Sequence, residues 1–183
     1  AQFGTDAALA LTLQLTSASF LCLSESRSEV FAQLSAQTHF AVSETAMGQA
    51  RDLTGGHHAS VDELKITAAL KSGPLFGLAL TLPLIAAGYE QLVPTARKVA
   101  KLFGLGYQIL DDIKDRSNDR LQESDSNIVN AIARRTSPEE AVRVANAEAN
   151  AILIEAKELA AELPKGSGAG VVWLIQYLET PEV

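Results

Sequence analysis

Apolar and polar positions fall in long blocks along this chain rather than alternating residue by residue. Ala7 to Ser24 carries no charge, and its apolar residues spread over every side of a helical turn. With Thr5 or Asp6 as a cap, this block predicts a helix to about Leu23. Glu25 to Arg27 interrupts it, and a more mixed pattern predicts a second helix from about Ser28 to Leu53. Thr54-Gly55-Gly56-His57-His58 reads as a loop, because paired glycines release a helix. Ser60-Val-Asp-Glu63 has the form of a capping box and predicts a helix start. That helix runs to about Ser72, where Gly73-Pro74 is expected to kink or restart it, and an apolar helix follows to Ala87. Pro94 suits the first turn of the next helix, expected to reach about Arg116. Ser117 to Asn127 is polar without an apolar period and reads as a loop. Asn127 can cap a short helix to Arg135, and Ser137-Pro-Glu-Glu140 a longer one to about Leu163. Pro164 to Gly170 predicts a joint, and Val171 to Glu179 a last short helix.

Composition narrows the fold. The chain has 183 residues, with 29 Ala and 25 Leu but only 5% aromatics. Ala and Leu favour helix, whereas β-branched and aromatic residues carry strands. No period-2 segment long enough for a sheet interrupts the pattern, so an all-α, single-domain helical bundle is expected over 1–183. The net charge of −7 lacks any basic stripe and argues against nucleic-acid binding. Cys22 is the single cysteine, which excludes a disulfide framework, and its apolar neighbours suggest a buried, inert thiol. Ala7 to Ser24 and Ser72 to Tyr89 are each 18 residues without charge, near the lower limit for crossing a bilayer. Neither has flanking basic clusters, so both are expected to be buried bundle helices rather than transmembrane segments. No signal peptide is evident, and a cytoplasmic location is expected.

The chemistry concentrates at Tyr107-Gln108-Ile109-Leu110-Asp111-Asp112-Ile113-Lys114-Asp115. Helical spacing puts Asp111, Asp112 and Asp115 near one face. Such hard oxygen donors suit Mg²⁺, which usually bridges one or two carboxylates to a phosphate. Taken alone, the pattern is equally a solvated acidic face. The apolar residues just before it point to a helix buried up to the point where the acids begin, and Gln108 shares their side. Lys71 is the only charge between Lys65 and Glu90, so it must snorkel to water or aim at an anion. Asp111 and Asp115 are its expected carboxylate partners. Gln49 and Asp52, three apart near the end of the second helix, complete the candidates. His57-His58 reads as solvated loop and Trp173 with Tyr177 as packing.

In order and spacing, Gly48-Gln49-x-x-Asp52-Leu53, Lys71-Ser72-x-x-Leu75-Phe76 and Gly104-x-x-Tyr107-Gln108-x-x-Asp111-Asp112-x-x-Asp115 resemble the trans-isoprenyl diphosphate synthases, or polyprenyl synthetases. Phe3-Gly4 before an apolar helix resembles the segment following that family's first aspartate-rich motif. The resemblance is clear over about residues 3–135. The family's first aspartate-rich motif, its Arg pair and its Gly-Lys region are not present, and would lie before Ala1. Thr12-Leu13 stands where the family has Gly-Asp, and the lysines usual in the loop after the second aspartate-rich motif are missing, with Arg116 and Arg120 the cations that follow it.

The resemblance implies an isoprenoid-synthase-type helical bundle lacking its N-terminal helices. It implies a prenyltransferase that joins an allylic diphosphate to isopentenyl diphosphate, with Mg²⁺ assisting ionisation, and a homodimer. By the same resemblance Asp111 and Asp112 hold Mg²⁺ with Asp115 behind them, and Lys71, with Ser72, contacts diphosphate. Gln108, Gln49 and Asp52 line the cavity, and the helices Ala7 to Leu23 and Leu75 to Ala87 wall the prenyl tail. A catalytically silent partner subunit and a terpene cyclase-like enzyme of the same architecture are the alternative readings.

Overall fold

The computed structural model describes residues 4–54, 59–121 and 126–179. Seven α-helices follow one another among them: α1 (Gly4–Ser24), α2 (Ser28–Thr54), α3 (Val61–Ala86), α4 (Val93–Leu121), α5 (Ile128–Ala133), α6 (Pro138–Ala161) and α7 (Ala169–Glu179). Short 3₁₀ turns at Glu90–Leu92 and Pro164–Gly166 precede α4 and α7. No strand occurs among the described residues, as the Ala- and Leu-rich composition requires.

Three of the expected caps form, whereas α1 already begins at Gly4, so that Thr5 and Asp6 lie inside the helix rather than capping it. Ser60 Oγ accepts from the Glu63 N–H, and the Glu63 carboxylate accepts from the Ser60 N–H at 2.8 Å, closing the capping box of α3. Asn127 Oδ1 accepts from the Asn130 N–H at 2.9 Å and starts α5. Ser137 accepts from the Glu140 N–H, but the Glu140 carboxylate turns outward to Arg143, so only half of that box forms.

Two boundaries differ from expectation. Gly73-Pro74 does not interrupt α3, which runs unbroken through both Pro74 and Pro83. Each proline deletes one backbone hydrogen bond, a loss that packing on two sides of the helix offsets. Helix α4 continues to Leu121, five residues past Arg116. A polar stretch lacks the apolar stripe that marks a packed helix, yet it can extend one that is already nucleated.

α3 lies between α2 and α4, and α4 packs in turn on α6. Leu80, Leu84, Val99, Phe103, Leu153 and Ile175 form one core cluster toward the α3–α4 turn. Leu64, Ala68, Ile109, Ile128 and Val129 form a second, beneath the start of the acidic segment. α1 stands apart, with none of its residues buried. Cys22 is therefore exposed rather than buried, because apolar neighbours in sequence do not by themselves bring a packing partner to its side of the helix. Trp173 and Tyr177, 62% and 67% exposed, stack on each other at 5.9 Å rather than filling the core.

Candidate functional site

The glycines of the three motif segments set how closely their helices approach. A Cβ built on Gly48 of α2 would lie 2.6 Å from the Lys71 backbone nitrogen of α3. One on Gly104 of α4 would lie 2.6 Å from the Gly73 nitrogen and 3.2 Å from the Ser72 carbonyl carbon. Only glycine permits either crossing, since these neighbours are backbone atoms that cannot step aside. The crossings join the first segment to the second and the second to the third.

Side chains reinforce both joints. Lys71 Nζ reaches Asp52 Oδ2 at 2.8 Å, so the last acid of α2 holds the isolated cation of α3. The expected pairing of Lys71 with Asp111 and Asp115 is replaced by this one. The Gly48 crossing brings the end of α2 against Lys71, whereas the acids lie farther along α4. Phe76 of the second segment meets Tyr107 of the third, with ring centroids 6.0 Å apart. Both rings also contact Phe103, Phe76 at 4.8 Å edge-to-face. The three rings form an apolar cluster between α3 and α4, and Gln108, one residue beyond Tyr107, is half-buried.

The acids divide by exposure and partner. Asp111 and Asp112 are half-buried and Asp115 is exposed. Asp112 Oδ2 accepts from the Ile128 N–H at 2.7 Å, and its backbone carbonyl accepts from Asn127 Nδ2 at 2.8 Å. Arg116 donates to the Pro138 carbonyl at 2.9 Å, so the cation next to Asp115 is spent on joining α4 to α6. The Arg120 side chain and His57-His58 lie outside the described residues. Gln49 is exposed on α2 and is not drawn into the Lys71–Asp52 contact.

Among the described residues no three His, Cys, Asp or Glu side chains gather as a ready-made metal cage. Hard carboxylate oxygens close together along one helix nevertheless fit Mg²⁺, which keeps waters and completes its shell with substrate phosphates rather than with protein alone. The sequence reasoning passed over the glycines as structural agents. Their signal was present in Gly48, Gly73 and Gly104, each inside a helix where glycine is otherwise costly.

A cleft of about 230 Å³ opens between α2, α3 and α4, over a floor of Ala41, Gly73, Gly77 and Ala100. Gln37, Phe40, Glu44, Arg97 and Lys101 form its polar and aromatic sides, and Arg97 lies over the Phe40 ring at 4.4 Å while donating to Gln37 Oε1. None of the site residues expected from the sequence lines this cleft. Neither does α1, none of whose residues is buried.

The sequence profile of the family described as polyprenyl synthetase matches residues 1–127. No curated protein sequence matches the chain. The fold is similar to that of geranylgeranyl pyrophosphate synthetase from the archaeon Geoglobus acetivorans, at 22% identity and a TM-score of 0.82 over 98% of this chain and 68% of that one. It is similar to geranylgeranyl pyrophosphate synthetase from Pyrococcus horikoshii, at 18% identity and a TM-score of 0.65 over 86% and 61%. An isoprenoid synthase family member from Thermotoga neapolitana is similar at 19% identity and 0.59 over 84% and 52%. At such identities the likeness is one of fold. The chain spans between about half and two thirds of the length of these three proteins.

Proposed function

The chain belongs to the polyprenyl synthetase family, and from that premise we propose that it is a prenyltransferase acting on diphosphates. The reaction joins an allylic diphosphate to isopentenyl diphosphate. The allylic C–O bond breaks with its electron pair leaving on diphosphate, the isopentenyl double bond attacks the cation, and a proton is lost. What supports the reading is the convergence of three motif segments through the Gly48 and Gly104 crossings, the Lys71–Asp52 pair and the Phe76–Tyr107 contact.

Each residue has a task that its surroundings suit. Lys71, aligned by Asp52, offers an ammonium to a diphosphate oxygen, a charge-assisted contact that gains as negative charge develops on the leaving group. Ser72 and Gln108 supply neutral donors beside it, and Gln49 and Asp52 border the opening on α2. Phe76, Phe103 and Tyr107 keep water from beneath the site. The divalent cation, proposed to be Mg²⁺, belongs at the acidic end of α4 where Asp111, Asp112 and Asp115 lie. Bound with the substrate, it would neutralise charge developing on the departing diphosphate.

A homodimer in the cytoplasm completes the proposal. Leu9, Leu11, Leu13, Leu15 and Leu21 are all more than half exposed on α1, a surface that an interface would cover. By length and composition alone α1 and α3 could each cross a membrane, but α3 is packed between α2 and α4.

Product analysis tests the reaction. The intact protein, given an allylic diphosphate, isopentenyl diphosphate and Mg²⁺, should release a longer prenyl diphosphate. Diphosphate release without isopentenyl diphosphate, accompanied by a cyclic hydrocarbon, would favour a cyclase instead. Binding without turnover would favour a silent subunit.

A further inference from the structure

The Gly48 and Gly104 crossings divide the space between α2, α3 and α4. The motif side chains of α2 and α4 follow the crossings: Gln49 and Asp52 come after Gly48, and Gln108 with the acids after Gly104. The cleft side chains precede them: Gln37, Phe40 and Glu44 come before Gly48, and Arg97 and Lys101 before Gly104. On α3, Leu70, Gly73, Pro74 and Gly77 have the spacing of one helix face and floor the cleft, while Ser72 and Leu75 are turned away from it. The 230 Å³ space is thus separate from the motif residues.

Its walls carry polar groups that the fold leaves available. Arg97 is held from two sides, its guanidinium 4.4 Å over the Phe40 ring and Nη2 donating to Gln37 Oε1. Gln37 is itself only 5% exposed, so this anchor is fixed. A guanidinium held in place keeps its remaining donors in a set direction and loses little freedom on meeting a ligand. Lys101 of α4 and Glu44 of α2 form no hydrogen bond or ion pair among the described residues. The floor is kept open by a glycine that packing does not demand. A Cβ on Gly77 would meet Ala100 Cβ at 3.4 Å, an ordinary contact, although glycine inside a helix is destabilising.

We propose that this cleft is a second ligand site, taking a small phosphate monoester with a short, hydroxyl-bearing body. The phosphate lies between Arg97 and Lys101, whose two positive charges match a dianion and whose guanidinium fork suits phosphate oxygens. The body rests on Gly77 and Ala100, and its hydroxyl donates to Glu44. A ligand lacking that donor would bring its negative charge near an unanswered carboxylate. The volume is below the roughly 300–1,000 Å³ of sites for drug-sized molecules, which sets a short body. The site needs neither Mg²⁺ nor the diphosphate site proposed above.

The test titrates glycerol 3-phosphate, and inorganic phosphate as reference, into the intact protein without Mg²⁺. Magnetic resonance follows the Gly73 and Gly77 amides, which report on the floor of the cleft. Both probes should shift these amides, with glycerol 3-phosphate binding about tenfold tighter than phosphate. Lys101→Gln removes an exposed, unpaired charge, so a melt should match the parent while both affinities fall about tenfold or more. Glu44→Ala should erase the preference for glycerol 3-phosphate. Lys71→Met should leave cleft binding as it is. Parent affinity in Lys101→Gln would overturn the proposal, as would unmoved Gly73 and Gly77 amides at tens of millimolar probe. A preference for glycerol 3-phosphate that survives Glu44→Ala would equally overturn the ligand class. Loss of binding in Lys71→Met would overturn the separate site and assign the phosphate to the motif residues. Failure of the diphosphate site shows differently, as unchanged allylic diphosphate affinity in Lys71→Met with cleft binding intact.

Discussion

α1 and α3 look alike as sequence and end in opposite surroundings. Both are long, apolar and poor in charge. α3 buries Leu64, Ala68, Ala69, Gly73, Gly77, Leu80, Thr81, Leu84 and Ile85, while α1 buries nothing. The hydroxyls of α1 fold back on its own carbonyls, as Thr12 does to Ala8 and Thr16 to Thr12, both at 2.8 Å. Its surface is thereby more apolar than composition suggests. What separates the two helices is the shape of their surfaces and their place in the chain. α3 has Gly73 and Gly77 where α4 passes, it meets Gly48 of α2, and short connections keep both neighbours beside it. α1 presents leucines on all sides and packs mainly on α2. Hydropathy states that a surface must be covered; small residues and connectivity state by what.

The largest effect should come from spoiling the α3 crossings. Gly104→Val places side-chain atoms where Gly73 backbone already lies. Overpacking of this kind costs about 1–3 kcal/mol, or roughly 3–10 °C in Tm for a chain of this size. As a control, Gly170→Ala meets nothing within 4 Å and replaces a helical glycine, so it should raise Tm slightly. A thermal melt of both variants checks the pair. Equal Tm for Gly104→Val and parent would mean that α3 and α4 are not held by that contact.

Leu13→Lys sharpens the other side of the comparison. Leu13 is 74% exposed, so folded stability of the isolated chain should change by no more than about 0.5 kcal/mol. Self-association of the intact protein, followed by light scattering, should weaken if α1 lies at the dimer interface. A drop in Tm matching that of Gly104→Val at dilutions that dissociate any oligomer would show that α1 packs within its own chain.

The smallest effect belongs to the α3 capping box. The Ser60 backbone N–H and then its hydroxyl hold the Glu63 carboxyl below its ordinary 4.5. A depressed carboxyl stabilises the fold above its unfolded value, and that contribution is lost as pH falls through the folded one. Glu63→Gln should therefore melt slightly below the parent at neutral pH, with the gap closing in acid below about 4.5. A gap that widened in acid would contradict the cap.

Much of this arrangement was legible in residues. Capping side chains at Ser60, Asn127 and Ser137 act over a single turn, so sequence alone locates them. The all-α bundle followed from Ala, Leu and the missing period-2 pattern. Less legible were features decided by tertiary neighbours. Pro74 lies inside a continuous α3 because α2 and α4 flank it. Lys71 pairs with Asp52 because Gly48 lets α2 close on α3. Cys22 is exposed because hydropathy names no partner for α1. At the site, the motifs selected Lys71, Gln108 and the three acids, but could not tell that Asp112 is tied to the start of α5.

In the proposed function, three motif segments brought together along α3 form one diphosphate site. Calorimetric titration of the intact protein with an allylic diphosphate, with and without Mg²⁺, tests it through Lys71→Met. The variant keeps much of the apolar stem and removes the charge, and a melt recorded alongside verifies that it is folded. Binding should require Mg²⁺ in the parent and weaken in the variant by about 1.5–3 kcal/mol, the scale of a charge-assisted hydrogen bond. Equal affinity in parent and variant, or binding indifferent to Mg²⁺, would contradict the account.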